Sequence, residues 1–550
     1  MKKLLAILLA LVIVLGLCAC GGGSDKGGAS SGDELTEDGR VKLTVGITSN
    51  ARVLSYDDNA LTDWVEEQCG VELEFVEYAG GTDVDTQIST TIAARQELPD
   101  ILFGISLNEN TLRRYGRDGY LLDLTPYYED KEGASKTFWT RLQAELGEQE
   151  QENVIRKITD PDTGKIFGVP SIQTSLVDGM NYQTWINTEW LDKVGMEAPT
   201  DWDSLVKVLK AFAETDCNGN GIDDEIPLFG SSQAGLGGYI LDWIINMEIY
   251  YDHDIPYVVD ENNKLVHVAT TDAYREGLKK INYLREEGLL TSLAFTASGN
   301  EMKQITTPSS GTALCGIFVG HLTVHTVQGN EVLYQYKPFQ TWGCAVRRDN
   351  SCSLQNYVTG DCDESKRDKA FEVLMTLWTE EGSYRIRYGQ KGVHWDDPDE
   401  GATSAIGLPA RLKIINDPLT QQNTALWSGA KGTLLIHAEA ESAQTAEALD
   451  AWTVARLNLH AESNTLFEEA AAKNNPEVIC PALVLTEAEK EETEMERTNT
   501  SNRISKARIE FCSGTLDIND DKVWDAYLKG LEDMGLSKVM EQNQVAYERQ

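Results

Sequence analysis

The sequence predicts an α/β protein built from more than one folding unit. Three observations carry this: residues 41–103 alternate strand-like and helix-like patterns, the chain has 550 residues, and 41% of them are hydrophobic. At roughly 100 to 200 residues per domain that length exceeds a single module. The apolar content is ample for a core, so global disorder is excluded.

Taken in order, Val41–Ile47 alternates apolar and polar residues, the period of a strand. Leu61, Trp64, Val65 and Cys69 follow at helical spacing, and Val71–Val76 alternates again. A helix is expected over Val84–Arg95, stopped at Pro99-Asp100, and then the apolar strand Ile101–Phe103. Strand, helix, strand, helix, strand at this spacing is a doubly wound α/β pattern. A second series starts at Lys165–Pro170. Met180–Ile186 reads as a strand leading into a helix around Trp190–Val194, and Thr200 is placed to cap a helix over Trp202–Glu214. A helical region near Leu278–Glu287 precedes two expected strands, Thr312–Val319 and Trp342–Val346. Ala370–Glu381 reads as one apolar helix. From Thr486 a Thr-x-x-Glu489 capping box opens a helical tail.

The ends of this pattern carry their own signals. Met1-Lys2-Lys3 and the apolar run Leu4–Leu17 make a charged and then a hydrophobic region. At 14 residues the run is shorter than the ~20 that span a bilayer, so residues 1–19 are expected to be an export signal. Leu17-Cys18-Ala19-Cys20 resembles the lipobox of bacterial lipoproteins, which implies that Cys20 becomes the lipid-bearing first residue. Gly21-Gly22-Gly23-Ser24 opens a tether over residues 20–40 without apolar periodicity.

Charge narrows the class of partner. With 48 Lys+Arg against 88 Asp+Glu the formal charge is −40, which repels phosphate backbones, so no nucleic-acid partner is expected. Most of these carboxylates are a solvated surface. Eight cysteines follow Cys20 and none forms a CxxC pair. Cys352 and Cys362, in one polar stretch, are a candidate bridge, with buried free thiols as the alternative.

Asp216-Cys-Asn-Gly-Asn-Gly-Ile-Asp-Asp-Glu225 is the most informative stretch. A hard Ca²⁺ takes six to eight oxygens, and an EF-hand-like loop supplies them from positions 1, 3 and 5, a turning Gly at 6 and a backbone carbonyl at 7. Asp216, Asn218, Asn220, Gly221 and Ile222 fill those slots, and Asp224 and Glu225 complete the shell. Position 12 is Pro227, not Glu, so the loop is not an EF-hand. A closed shell of this kind is structural, not catalytic.

Together with this loop, Glu97–Leu102, Gly168-Val-Pro170, Ile186–Gly195, Glu381–Tyr384, Tyr388–Trp395 and Trp524–Leu531 resemble the extracellular solute-binding family 1. These are lipoprotein subunits of carbohydrate ABC importers, including the LplA-like and alginate-binding types. The resemblance covers nearly the whole mature chain. It implies a two-lobe type II periplasmic-binding-protein fold with an interlobe ligand cleft, lobe one at 41–171 and 344–388, lobe two at 172–343 and 389–550. It also implies a structural Ca²⁺ on Asp216, Asn218, Asn220, the Ile222 carbonyl, Asp224 and Glu225. The implied partners are an oligosaccharide, ABC permease subunits, and the outer face of the cell membrane through the lipid anchor, the protein itself being a monomer and not an enzyme.

Sugars present hydroxyls and apolar C–H faces, so their sites pair aromatic platforms with polar groups. Tyr182 lies just after the expected crossing at Val169-Pro170. Trp243 lies in an apolar helix near Gly237-Gly238. Phe318 and His321 belong to the end of a buried strand, and His394 and Trp395 lie near the third crossing. Asn59 and Ser106 follow strand ends, where open α/β sheets present their crevices. The rival classes are an exported glycan-active hydrolase and a peptide-binding or sensory lipoprotein of the same fold. Gly28-Ala-Ser-Ser-Gly32 matches GxSxG but lies in the tether, without the flanking strand and helix the motif needs. His321-x-x-x-His325 lacks the Glu of HExxH, so a core pair is the expectation.

Overall fold

The computed structural model describes residues 35–36, 39–80, 83–174, 180, 182–232, 239–347, 351–427, 433–435, 442–444 and 450–549. The expected signal, Cys20 and most of the tether lie outside the described residues, as do Gly237-Gly238.

In chain order, β1 (Val41–Thr48), α1 (Ala60–Cys69), β2 (Val71–Tyr78), α2 (Asp83–Ala93) and β3 (Ile101–Phe103) form the expected opening. Gly70 ends α1 in the left-handed conformation at φ 64°, which a residue without Cβ adopts at no steric cost. Helices fill residues 109–158, and β4 (Val169–Gln173) leads out of the first unit. The second unit holds β5 (Thr184–Asn187), α3 (Trp202–Glu214), β6 (Ile226–Phe229), α4 (Ile240–Ile245), α5 (Asp272–Glu286), β7 (Cys315–Val319) and β8 (Tyr336–Pro338). The chain returns through β9 (Ser351–Val358), α6 (Arg367–Leu377) and β10 (Leu434–Leu435), and ends with α7 (Ala451–Asn474), α8 (Glu487–Cys512) and two further helices.

Two sheets result. The first has the order β10-β4-β9-β3-β1-β2 and the second β8-β5-β7-β6. β1 is parallel to both β2 and β3, in register from Val41 opposite Val71 to Thr48 opposite Tyr78. In the second sheet β5 runs antiparallel to β7 and β8, and β6 parallel to β7. Each sheet has its own core. Leu43, Val45, Ile101, Phe103, Tyr357 and Phe371 anchor the first, and Trp185, Trp190, Phe212, Ile244, Ile317 and Phe318 the second. The chain crosses between cores three times, after Gln173, before Ser351 and again between Leu435 and Trp452, because Trp452, Leu459, Phe511 and Trp524 are buried in the second core.

Several expectations need correction. Asp201, not Thr200, caps α3, because its carboxylate accepts from Ser204 N at 2.8 Å while the Thr200 N–H donates to the Ser204 hydroxyl. Ala370–Glu381 is two helices, α6 and one at Glu380–Tyr388, since Thr379 breaks the run and caps the second by accepting from Gly382 N at 3.0 Å. Trp342–Val346 forms no strand. Cys344 N instead donates to Asn246 O at 2.8 Å and Val346 lies in the second core, so this segment attaches to the unit that was expected to end at residue 343. Residues 389–435 were expected in lobe two, yet Trp427 and Leu434 are buried in the first core and Leu434 pairs with Ile172 in β4. The eight described cysteines are free, so Cys352 and Cys362 are not bridged. Burial pushes the thiols up, Cys344 to about 11 and Cys362 to about 12.

Candidate functional site

The crossings define where a ligand space lies. The chain leaves the first sheet at the end of β4 and enters the second at the start of β5, then leaves after β8 and re-enters at the start of β9. The carboxyl end of β3 joins this edge, because Ile105 N donates to Gln355 O at 2.9 Å. Ser49, Asn50, Ser106, Gln173, Ser353 and Gln355 stand at or near these ends in the first unit. Gln183, Ser231 and His321 stand at the matching ends in the second. Carboxyl ends of strands at a crossover are where open α/β sheets take ligands.

Of the side chains singled out by sequence, Ser106 and His321 fall on these edges. Ser106 is exposed just past β3. His321 follows β7 and accepts from Thr323 N through Nδ1 at 3.2 Å. The others are placed differently. Tyr182 is at the crossing, but 1% of its surface is exposed and its hydroxyl donates to the Cys344 carbonyl. Phe318 is inside β7 between the rings of Trp185 and Tyr336, at 6.3 and 4.9 Å. Trp243 is fully buried against Phe339. Asn59 caps α1, accepting from Leu61 N at 3.0 Å while its amide donates to Ser55 O and Leu426 O. Trp395 donates to Gly389 O at 2.7 Å and packs edge-on against Tyr384 in a small core with Leu412. His394 beside it accepts from Gln390 N at 3.1 Å, and burial holds its pKa below the usual value. These six rings and amides are engaged in the fold. His325, of the His-x-x-x-His pair, is buried and accepts from His321 N at 2.9 Å, as a core pair does.

Sequence reasoning missed His460. It lies on α7, over the second sheet, with its ring 5.8 Å from Trp185 and 5.1 Å from His321. A lone histidine on a helix carries no motif, and only the tertiary contact reveals it.

The Asp216–Glu225 loop joins α3 to β6 and folds onto its own oxygens. Asp216 accepts from Gly219 N at 2.7 Å and Gly221 N at 3.2 Å, Asn218 from Asn220 N, and Asn220 from Ile222 N. Both Asn amides donate to Asp224, and Glu225 accepts from Asn218 N at 3.2 Å. Gly219 and Gly221 have φ of 73° and 77°, a left-handed geometry that lets the chain turn this tightly. Lys193 Nζ fixes the outside of the loop by donating to Cys217 O at 3.3 Å. Among the described residues no three or more His, Cys, Asp and Glu gather as a metal-binding group. The side-chain oxygens gathered in this loop are carboxylate and amide oxygens, the donor class that a hard cation takes. Among the described residues no helix is long and apolar enough to cross a membrane.

No family model matches the chain. It is 30% identical over 308 residues to the fructooligosaccharide ABC transporter substrate-binding protein FusA of Streptococcus pneumoniae, a match covering 54% of each chain. The chain therefore spans about half the length of that relative. In fold it is similar to the FusA EF-hand mutant in complex with fructo-nystose, with TM-score 0.65 and 20% identity over 92% of this chain and 99% of that one. It is also similar to an extracellular solute-binding protein of Bifidobacterium longum subsp. infantis, with TM-score 0.70 and 20% identity over 94% of this chain and 99% of that one. These relatives are named as substrate-binding or solute-binding proteins. The chain is thus similar to FusA in sequence over about half its length, and it shares the α/β two-lobe fold of these solute-binding proteins.

Proposed function

We propose that this protein captures an oligosaccharide between its lobes and delivers it to the permease of an ABC importer, held at the outer face of the cell membrane by lipid on Cys20. The observation that carries this reading is the pair of sheets joined by repeated crossings of the chain, which brings polar strand ends of both sheets to the same edge. Hinge closure over a ligand at such crossings is a change that a membrane partner can read. FusA's fructooligosaccharide makes a neutral oligosaccharide the first candidate ligand.

Asp216, Asn218, Asn220, Asp224 and Glu225, with the Ile222 carbonyl, would hold a structural Ca²⁺ in the loop between α3 and β6. The ion would offset two of the three carboxylate charges of Asp216, Asp224 and Glu225 and fix the entry to β6, one of the strands whose end stands at the crossings. Chelation tests this. EDTA is expected to lower the melting temperature and added Ca²⁺ to restore it, since a ligand at 100 times its Kd stabilises by about 2.7 kcal/mol. An unchanged melt in EDTA would overturn the metal assignment and leave the saccharide reading standing.

A further inference from the structure

We propose that His460, with Gln340, forms a hydrogen-bonding subsite for saccharide hydroxyls at the end of the second sheet where Gln183 and His321 stand. This rests on the oligosaccharide reading above and adds the residues that would discriminate among sugars.

The register of the sheet assembles the group. Trp185 is opposite Phe318 on one side and Pro338 on the other, and residues directly opposite share a face of the sheet. Two positions nearer the crossing, Gly320 N donates to Gln183 O at 2.8 Å, and Phe339 N donates to Thr184 O at 2.9 Å, which places Gln340 beside Gln183. Both glutamines are thus on the face that carries Trp185. α7 lies over that face and brings His460 to Trp185 at an interplanar angle of 81° and to His321 at 43°.

The chemistry of His460 is what points to a ligand. Its side chain is 1% exposed, yet neither ring nitrogen has a hydrogen-bond partner. A neutral imidazole carries one N–H and one lone pair, so burial leaves both a donor and an acceptor unsatisfied, which native folds rarely tolerate without a functional reason or an ordered water. Gln340 Nε2 also lacks a partner. His321, its Nδ1 accepting from Thr323 N at 3.2 Å, flanks the His460 ring. A hydroxyl donates and accepts at once, so it matches an imidazole that offers both. The aromatic edge of Trp185 supplies the apolar side of the same group. A leucine at position 460 would fill similar volume while offering neither bond.

Calorimetry with nystose, a neutral fructooligosaccharide, and a panel of other neutral oligosaccharides tests this on the full mature chain. His460→Leu is expected to raise the Kd of whichever sugar the unaltered protein binds by tenfold or more, while the ligand-free melt stays level or rises. His460→Gln, which keeps a donor and an acceptor, is expected to recover part of that affinity. If His460→Leu binds within twofold of the unaltered protein, the inference is overturned and the imidazole serves an internal water only. Should that variant fail to fold, Gln340→Leu carries the test with the same expected loss, and an unchanged Kd there overturns the inference equally. An unaltered protein that binds no saccharide overturns the functional reading itself, and this subsite with it.

Discussion

Trp427→Ala is expected to destabilise the protein by about 3–5 kcal/mol, the range for truncating a buried aromatic. The indole is fully buried and edge-on to Phe75 at 5.3 Å and Phe103 at 5.1 Å. Its Nε1 donates to the Thr62 hydroxyl at 2.8 Å, which in turn donates to Tyr56 O at 2.6 Å. Loss of the ring therefore opens a cavity between α1 and the sheet and leaves a buried hydroxyl without its donor. Asn423 O also accepts from Leu54 N and Thr424 O from Ala60 N, at 3.0 and 2.9 Å, so the segment from Asn423 to Trp427 is held to the first lobe along its length. Urea unfolding would show a lower midpoint. Trp427→Phe, which keeps most of the apolar contact, should lose much less. Equal losses for both variants would mean that the hydrogen-bonded chain, rather than the packed ring, holds the segment.

Mild acid is expected to weaken the fold before its carboxylates titrate. His267 is buried edge-on to Tyr257 at 5.3 Å, accepts from Ala269 N at 3.2 Å, and is pushed down by burial to about 4. His460 is likewise held well below the usual value, first by burial and then by His321 and Arg456 nearby. The unfolded chain binds a proton at each imidazole below about pH 6.5 and the folded one does not, so stability is complete above that pH and falls as pH drops towards the folded values. For His267 the loss reaches about 2 kcal/mol by pH 5 and about 3 kcal/mol near pH 4. His253 acts in the opposite sense. Burial lowers its pKa, but its contact with Asp242 at 2.9 Å outweighs this and leaves it raised, so its contribution is present in acid and fades as pH rises through its folded value. Denaturant midpoints at pH 7, 6 and 5 should fall for the unaltered protein, and His267→Gln should flatten the slope. An unchanged slope in that variant would show that His267 is not the group responsible.

The parts of this molecule legible in sequence are those specified locally. β1 and β2 follow from alternation within eight residues, β3 from a short apolar run, and the loop between α3 and β6 from closely spaced oxygen-bearing side chains. What was illegible depends on partners far along the chain. Nothing near Leu434 says that it pairs with Ile172, so the small segment before it was assigned to the other lobe. A Trp or Tyr reads the same as a sugar platform or as core. Tyr182, Trp243 and Trp395 prove to be enclosed, their polar atoms facing a carbonyl in two of the three cases. His460 became visible only once α7 was seated on the second sheet.

The central claim is that this chain binds an oligosaccharide and does not consume it. The most direct test is a thermal-shift titration of the full mature protein across neutral oligosaccharides, beginning with nystose, with chromatographic analysis of each sugar afterwards. The account predicts that at least one sugar raises the melting temperature with saturating dose dependence and is recovered intact. Recovery of shortened sugars, or a melt unmoved by every oligosaccharide in the panel, would contradict it.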